Sequence, residues 1–349
     1  MPPSERMALI DSTLREGEQF ATARFDSGQR RTIAEALDAF GVEYIELTSP
    51  AASPQSARDL ELIAGLGLRS RIVTHVRCHL DDVRLAVECG AQGVNMLYAT
   101  SAQLRQASHG RSLDQILEEA AVVIGYLKTQ KVEIRFSAED TFRTDLADLI
   151  RIYSSVDALG VHRIGLADTV GIATPRQVYD TVAKIRAAVS CDIEFHGHND
   201  ADCAVANAFC AHEAGATHID VTVLGIGERN GIASLGGMVA EMVGIPIPFS
   251  APISSPYAFH HKAGMHTNAV LNDPRSYEVL DPAAFGRART VAVAHRLVGW
   301  HAVAERAREL GIHLSETIAR RAAARIKAFG DEHELDGAIV DDIIYEYAE

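Results

Sequence analysis

Short runs of apolar and β-branched residues recur along the first two thirds of the chain, with helical periodicity between them. The eight runs lie at 7–13, 42–49, 71–76, 93–99, 132–138, 163–168, 192–198 and 218–224. One stripe at helical spacing is formed by Ile33, Ala34, Ala36, Leu37 and Phe40. The pattern therefore predicts eight strands, each followed by a helix that buries one face.

Eight strand–helix alternations in roughly 240 residues favour an α/β fold, the (β/α)8 TIM barrel. A doubly wound open sheet is the alternative, and it would need a Gly-rich phosphate loop after an early strand. The turn after the first strand contains LREGEQF instead. The barrel is therefore the predicted fold.

The character of the sequence changes after Gly244. Residues 245–259 contain four prolines, which is typical of an extended linker. Helical segments follow near 299–311, 314–329 and 336–348. We therefore expect a catalytic barrel over 1–248, and a linker with a small helical C-terminal subdomain over 249–349.

Composition narrows the function. The 349 residues include 33 Lys+Arg and 47 Asp+Glu, a net charge of −14, which argues against nucleic acid or an anionic membrane as the partner. No apolar run is long enough to span a membrane, and the first 20 residues lack a secretory signal. The five cysteines form no CxxC pair, so we expect a reducing, cytoplasmic location.

The strongest candidate site lies at the end of the seventh strand, where barrel chemistry is found. His196 and His198 are two residues apart, so their side chains point to the same side and can converge on one cation. Two unrelated polar histidines are the alternative, but carboxylates such as Glu16 at the same end favour a metal. Two histidines and one carboxylate leave coordination positions open, as a catalytic site requires.

Other strand ends carry groups suited to an anionic substrate. Arg15 beside Glu16 is either a surface ion pair or a guanidinium that stabilises an oxyanion near the metal. Arg135 and His75 are candidate anchors for a second anionic group, because an Arg fork binds a carboxylate bidentately. Thr169 and Ser137 could donate hydrogen bonds to the same ligand, and Ser137 lies two residues after Arg135 on one strand. For each of these four residues, a purely structural role is the alternative.

The linker region contains HHKAGMH at 260–266. The segment is a weak candidate for a metal-binding tract. The more interesting interpretation is a mobile segment that carries one acid/base histidine over the barrel mouth. Tyr277 follows shortly after, and it either packs the linker or takes part in catalysis.

Five motifs resemble the homocitrate synthases, which belong with the metal-dependent 2-isopropylmalate and citramalate synthases and hydroxymethylglutaryl-CoA lyase. They are DSTLREGEQF (11–20), FHGHND (195–200), GIGERNG (225–231), HKAGMH (261–266) and SYEVLDPAAFG (276–286). The resemblance extends from about residue 8 to residue 312, and its first two motifs are highly specific.

The resemblance implies an acyltransferase of amino-acid (lysine) biosynthesis. Such enzymes condense acetyl-CoA with 2-oxoglutarate and hydrolyse the thioester to homocitrate and CoA. It also implies a homodimer in which the C-terminal subdomain crosses onto the partner. A divalent ion, Zn2+, Mg2+ or Mn2+, would sit on Glu16, His196 and His198.

The resemblance also implies roles for the remaining residues. The catalytic residues would be Arg15, Glu139, His266 and Tyr277. Gln19 and Thr169 would hold the metal-bound end of the 2-oxo acid. The distal carboxylate would be held by Arg135 and His75, with Ser108 and Ser137.

Three alternatives differ in activity. The same chemistry could act on oxaloacetate, 2-oxoisovalerate or pyruvate. A retro-Claisen lyase would need a reactive cysteine in a C-terminal Gly-rich loop, and the chain has no cysteine after Cys210. A non-catalytic barrel would be expected to lose Arg15 or a metal ligand, and this chain retains them all.

Two features depart from lysine-inhibited homocitrate synthases. Asn95 occupies a position where those enzymes carry an acidic residue, and the stretch from Met242 to Tyr257 is short. We therefore predict that lysine inhibits this protein weakly or not at all.

Overall fold

The computed structural model describes residues 7–236, 255, 257–262, 264–278, 280–285 and 287–348. The chain divides into two compact units, residues 1–246 and 247–349. Most of the Pro-rich stretch lies outside the described residues, and so does the short segment from Met242 to Tyr257 apart from Ser255 and Tyr257.

The first unit is a closed barrel of eight parallel strands. They are β1 (Ala8–Asp11), β2 (Tyr44–Leu47), β3 (Arg71–Arg77), β4 (Gly93–Ala99), β5 (Glu133–Glu139), β6 (Arg163–Asp168), β7 (Asp192–Gly197) and β8 (His218–Val223). Each strand pairs with the next in the chain, and β1 also pairs with β8, with Ala8 beside His218. A short strand, Ser234–Gly236, continues the sheet beside β8. The predicted TIM barrel is confirmed.

The described residues directly after β8, 224–236, contain no helix. Helices follow each of the first seven strands as predicted, two of them after β4. They are α1 (Ser27–Phe40), α2 (Pro54–Ala64), α3 (Leu80–Glu88), α4 (Ala102–Ser108), α5 (Leu113–Lys128), α6 (Leu146–Ala158), α7 (Pro175–Arg186) and α8 (Ala204–Glu213). Asp26 caps α1 by accepting from the Gln29 amide, and Gly41 ends the helix with φ of 98°. The placement of Phe40 on the buried face is wrong: it is 58% exposed, because it is the last residue of α1.

The strands separate apolar from polar residues by simple alternation. On β5, Ile134, Phe136 and Ala138 belong to the apolar core that the strands share with the surrounding helices. Their neighbour Arg135 points the other way, into the barrel, where it meets Glu194 of β7. The barrel interior is therefore polar, and it leads to the carboxyl ends of the strands.

The second unit has its own core. Its helices are Gly264–Asn272, Trp300–Glu309, Glu316–Glu332 and Gly337–Tyr345, and the two-residue strands His260–His261 and Thr290–Val291 pair in parallel. The last three helices confirm the helical C-terminal prediction. Their buried contacts include Val298, Val303, Ile326, Val340 and Ile344. Across the described residues of both units, no helix has the length and apolar character needed to cross a membrane.

Candidate active site

Three side chains that the sequence suggested as metal ligands lie together at the carboxyl end of the barrel. Glu16 follows β1, His196 lies in β7, and His198 follows at the same side of the chain. One donor atom from each lies within 4.8 Å of the other two, and all three residues are buried. The strand alternation explains the histidine pair, and the turn after β1 brings in the carboxylate.

The protonation of this cluster suits a divalent cation. Burial lowers the pKa of both His196 and His198 to about 4, so each imidazole is neutral at physiological pH and keeps a lone pair for a metal. Burial raises the pKa of Glu16, but Arg15 and the two histidines outweigh it and leave the pKa lowered. Among the described residues, Nδ1 of His198 is buried without a hydrogen-bond partner. Two neutral nitrogens and one carboxylate fit zinc and harder divalent ions.

Arg15 forms a buried junction of three carboxylates, which excludes the surface ion pair as an interpretation. Its guanidinium donates to Glu16 at 2.5 Å, to Glu46 at 2.7 Å and to Asp220 at 3.3 Å. The side chain is only 11% exposed. Burial lowers the pKa of Arg15, but the three carboxylates, Glu46 most of all, raise it by more than burial lowers it. The positive charge beside the metal ligands is therefore permanent. Such a charge can stabilise an oxyanion.

Asp220 is a site residue that sequence reasoning missed. It lies within β8, and its Oδ2 is 2.6 Å from Nδ1 of His196. Its Oδ1 accepts from the Ser12 hydroxyl at 2.5 Å. A search limited to strand ends overlooks a residue in mid-strand. The alternation of His218, Asp220 and Thr222 in HIDVTV was the available signal, because it points a carboxylate into the barrel.

Arg135 is anchored deeper in the barrel. Its Nη2 lies 2.6 Å from Oε1 of Glu194, and both side chains are buried. Gly165 on the neighbouring strand makes room for it, because a Cβ there would lie 2.4 Å from Nη2. Ser137 donates to the Gly165 carbonyl at 3.3 Å. The guanidinium is thus held in a fixed place while its charge is shared with Glu194.

His75 and Glu46 lie in the same interior layer. The His75 Nδ1 is 3.6 Å from Oε1 of Glu46, and burial lowers the pKa of His75. Asn95 donates a hydrogen bond to the same oxygen of Glu46. The amide at position 95 is therefore engaged with a buried carboxylate, and weak inhibition by lysine stays a prediction.

Glu139 ends β5 and is the candidate base of the barrel. Burial raises its pKa, and the charges of Asp140 and Glu228 raise it further. The side chain is half-buried. A carboxylate with a raised pKa is a stronger base than an exposed one, which suits proton abstraction.

The other predicted substrate contacts differ in placement. Thr169 accepts from the Asp140 amide at 2.8 Å, which fixes its hydroxyl after β6. Gln19 is exposed at the end of a short turn after β1. Ser108 is exposed at the end of α4, and its hydroxyl donates to the Leu104 carbonyl at 2.7 Å. The roles of all three stay predictions.

A rim of polar contacts ties together the loops that follow β6, β7 and β8. Arg229 donates to both oxygens of Asp200 at 3.0 Å and to the Thr169 carbonyl at 2.7 Å. Gly171 has φ of 65°, and a Cβ there would lie 2.4 Å from Asp200. These contacts hold the loops around the histidine pair.

His266 and Tyr277 belong to the second unit. Their rings pack together with centroids 4.4 Å apart, and Tyr277 is 49% exposed. The adjacent Glu278 accepts from His261 at 2.8 Å and from Arg289 at 2.6 Å. The structure therefore joins the two linker motifs within their own unit.

Two family models match the chain. The model described as HMGL-like covers residues 6–261, and the model described as homocitrate synthase post-HMGL domain-like covers residues 253–334. Together they account for both compact units.

Curated relatives are similar over almost the whole chain. A mitochondrial homocitrate synthase of Penicillium rubens is 50% identical, with 98% of this chain and 78% of the relative covered. The cytosolic isozyme of Saccharomyces cerevisiae is also 50% identical, over 96% of this chain and 85% of that protein. The homocitrate synthase of Sulfolobus acidocaldarius is 36% identical over 93% of this chain and 75% of that protein.

The expectation of a cytoplasmic location is wrong on this comparison. Four relatives at 49% or 50% identity are named mitochondrial, and one is named cytosolic. The five cysteines are free thiols. Free thiols do not separate one reducing compartment from another.

Solved structures support the fold. The hydroxymethylglutaryl-CoA lyase of Pseudomonas aeruginosa aligns with a TM-score of 0.60 at 19% identity, over 94% of this chain and 99% of that one. The lyase of Brucella melitensis aligns with a TM-score of 0.57 at 20% identity, over 64% of this chain and 83% of that one. At this identity the likeness concerns the barrel architecture alone. With the family models and the curated relatives, it leads to one conclusion: the chain belongs to the homocitrate synthase family.

Proposed function

We propose that this protein condenses acetyl-CoA with 2-oxoglutarate and hydrolyses the thioester, giving homocitrate and CoA. The main support is the buried cluster of Glu16, His196 and His198 beside Arg15, in a chain about 50% identical to homocitrate synthases. A divalent ion held by these three residues would polarise the ketone of the 2-oxo acid as a Lewis acid.

The side chains of the barrel would then divide the remaining work. Glu139, with its raised pKa, would remove a proton from the acetyl-CoA methyl group. Arg15 would stabilise the negative charge that develops on the reacting oxygens. Gln19 and Thr169 would hold the head of the 2-oxo acid.

The distal carboxylate of 2-oxoglutarate would meet Arg135 and His75, with Ser137 and Ser108 as hydrogen-bond donors. Arg135 supports this assignment, since it is a fixed, buried cation below the metal ligands. His266 would complete the acid/base pair with Glu139, and Tyr277 would orient its ring, which it already contacts.

The assay for this function measures CoA release from acetyl-CoA across a panel of 2-oxo acids, with and without a chelator. We expect 2-oxoglutarate to give the highest kcat/KM, and we expect the chelator to abolish turnover until a divalent ion returns. Faster turnover of oxaloacetate, 2-oxoisovalerate or pyruvate would reassign the acceptor. Full activity of metal-free protein would remove the proposed role of the cluster.

We also propose a homodimer in which residues 249–349 of one subunit complete the site of its partner. Complementation tests this directly, by co-expressing an Arg15→Gln chain with a His266→Ala chain. If the second unit acts in the partner's barrel, a mixed dimer contains one intact site and regains activity. If it acts within its own chain, both sites of the mixed dimer stay defective and no activity returns.

A further inference from the structure

One buried carboxylate touches both halves of the candidate site. Asp220 lies beside Ile10 in the β1–β8 pairing, and it is fully buried inside the barrel. Its Oδ2 contacts Nδ1 of the metal-ligand candidate His196 at 2.6 Å and Nη2 of Arg15 at 3.3 Å. Its other oxygen is held by the Ser12 hydroxyl. The carboxylate is therefore fixed, and so are the two groups bound to it.

The two histidines of the pair differ in their second nitrogen. Nδ1 of His196 faces Asp220, whereas Nδ1 of His198 has no hydrogen-bond partner among the described residues. A neutral imidazole carries one N–H, and a carboxylate attracts it to the nitrogen nearest the negative charge. For His196 this leaves the lone pair on Nε2, on the side of the ring away from Asp220.

We propose that Asp220 is a positioning residue for both halves of the site: it fixes the tautomer and the ring of His196, and it orients Arg15. This inference rests on the proposed function, because it takes the three-residue cluster as the cation site. A carboxylate behind a metal-bound histidine commonly changes metal affinity by about 10–100-fold. Because the same oxygen holds Arg15, the carboxylate also links cation binding to oxyanion stabilisation.

Cobalt(II) is the probe for the His196 half. The full-length chain is stripped of metal, and Co2+ affinity is measured by competition with a chelating dye, with the visible absorption reporting the ligand set. We expect Asp220→Ala to weaken Co2+ binding by about 10–100-fold. Asp220→Asn keeps an oxygen for the His196 N–H, so it should restore much of that affinity.

Two variants serve as controls. Ser12→Ala removes a contact to the other oxygen of Asp220 and leaves the contacts to His196 and Arg15 in place, so its Co2+ affinity should fall far less than that of Asp220→Ala. Glu46→Gln removes the negative charge of a different partner of Arg15 without touching His196, so it should lower kcat and leave Co2+ affinity unchanged. Thermal melting shows that each variant is folded. If Asp220→Ala does not fold, the Asn variant carries the test, with an intermediate loss of affinity expected.

The outcomes separate this inference from the proposed function. The metal cluster itself is wrong if the wild-type protein does not bind Co2+, or if His198→Ala binds it as well as the wild type does. If the wild type binds Co2+ and both Asp220 variants bind it equally well, the His196 half of the inference fails. If saturating metal restores the full kcat of Asp220→Ala, the Arg15 half fails, whereas a lasting loss of kcat supports it.

Discussion

The two faces of the barrel strands are chemically opposite. The outward face is apolar and buried against the helices, with Ile134, Phe136, Ile164, Phe195 and Val221 as examples. The inward face carries buried charge, with Glu46, Arg135, Arg163, Glu194 and Asp220 as examples. Many TIM barrels fill this interior with Val, Ile and Leu instead. In this protein, residues one position apart on a strand serve different purposes.

The inner charges are paired, but pairing makes them a poor source of stability. Arg163 lies 2.8 Å from both Glu133 and Glu194, and its guanidinium packs 4.7 Å from the Tyr44 ring. Removing such ions from water costs about as much as their attraction returns. The outer layer contributes hydrophobic burial with no such cost. We therefore assign stability mainly to the outer face and chemistry to the inner one.

The largest expected effect comes from the outer face of β5. Phe136→Ala should lower the free energy of unfolding of the barrel by about 3–5 kcal/mol, because it empties a fully buried ring site. Below its melting temperature the variant should keep a near-normal kcat. Urea unfolding and steady-state kinetics check both parts. A loss of kcat as large as the loss of stability would contradict the separation of the two faces.

The inner face of the same strand gives the matched change. Arg135→Met should raise the KM for 2-oxoglutarate by about 10–100-fold, since a charged hydrogen bond contributes roughly 1.5–3 kcal/mol. The KM for an apolar 2-oxo acid should change far less. Stability should fall less than in Phe136→Ala, because Glu194 keeps Arg163 as a partner. Equal losses on both substrates would remove Arg135 as the anchor of the distal carboxylate.

The next effect is a displaced pH profile. The pKa of Glu139 is raised by burial, and a base works only when deprotonated, so kcat/KM should fall as the pH drops through that raised pKa. The acidic limb should therefore lie above the usual glutamic acid pKa of about 4.3. Measuring kcat/KM against pH tests this, with Glu139→Gln as the control that should lack the limb. An identical limb in that variant would assign it to another group.

The smallest effect sharpens the comparison on β6. Ile164→Val removes one outward methylene and should cost about 0.5–1.5 kcal/mol of stability, with KM unchanged. Its inward neighbour is Gly165, where an added Cβ would meet the Arg135 guanidinium. Gly165→Ala should therefore raise the KM for 2-oxoglutarate instead. Chemical unfolding and KM measurements distinguish the two, and an unchanged KM in Gly165→Ala would show that Arg135 can move aside.

Much of this fold was predictable because apolar and polar residues alternate clearly along the strands. In VEIRFSA every second residue is apolar from Val132 to Ala138, and the structure places β5 over nearly the same range. The helices were visible from their caps, such as Thr174 before Pro175, where the Thr174 side chain accepts from the Gln177 amide. Phe40 was misplaced because periodicity does not show where the sheet stops covering a helix.

The site was predictable only in part, for physical reasons. His196 and His198 were found because their spacing on a strand points both side chains to one side, and because they lie at a strand end with carboxylates such as Glu16. Asp220 was missed because it lies in mid-strand, and its partner Ser12 is distant in sequence and meets it only when β1 pairs with β8. The relation of His266 to the barrel depends on how two separate units assemble, and no local pattern in the sequence encodes that.

The closure of the barrel between β1 and β8 has a consequence during synthesis. Ala8 pairs with His218, so one edge of the first strand waits for a partner more than two hundred residues downstream. At a synthesis rate of roughly 5–20 residues per second, that edge stays open for about 10–40 seconds on the ribosome. Unpaired strand edges invite association with other chains. The nascent chain therefore passes through a period in which chaperones have their greatest opportunity to act on it.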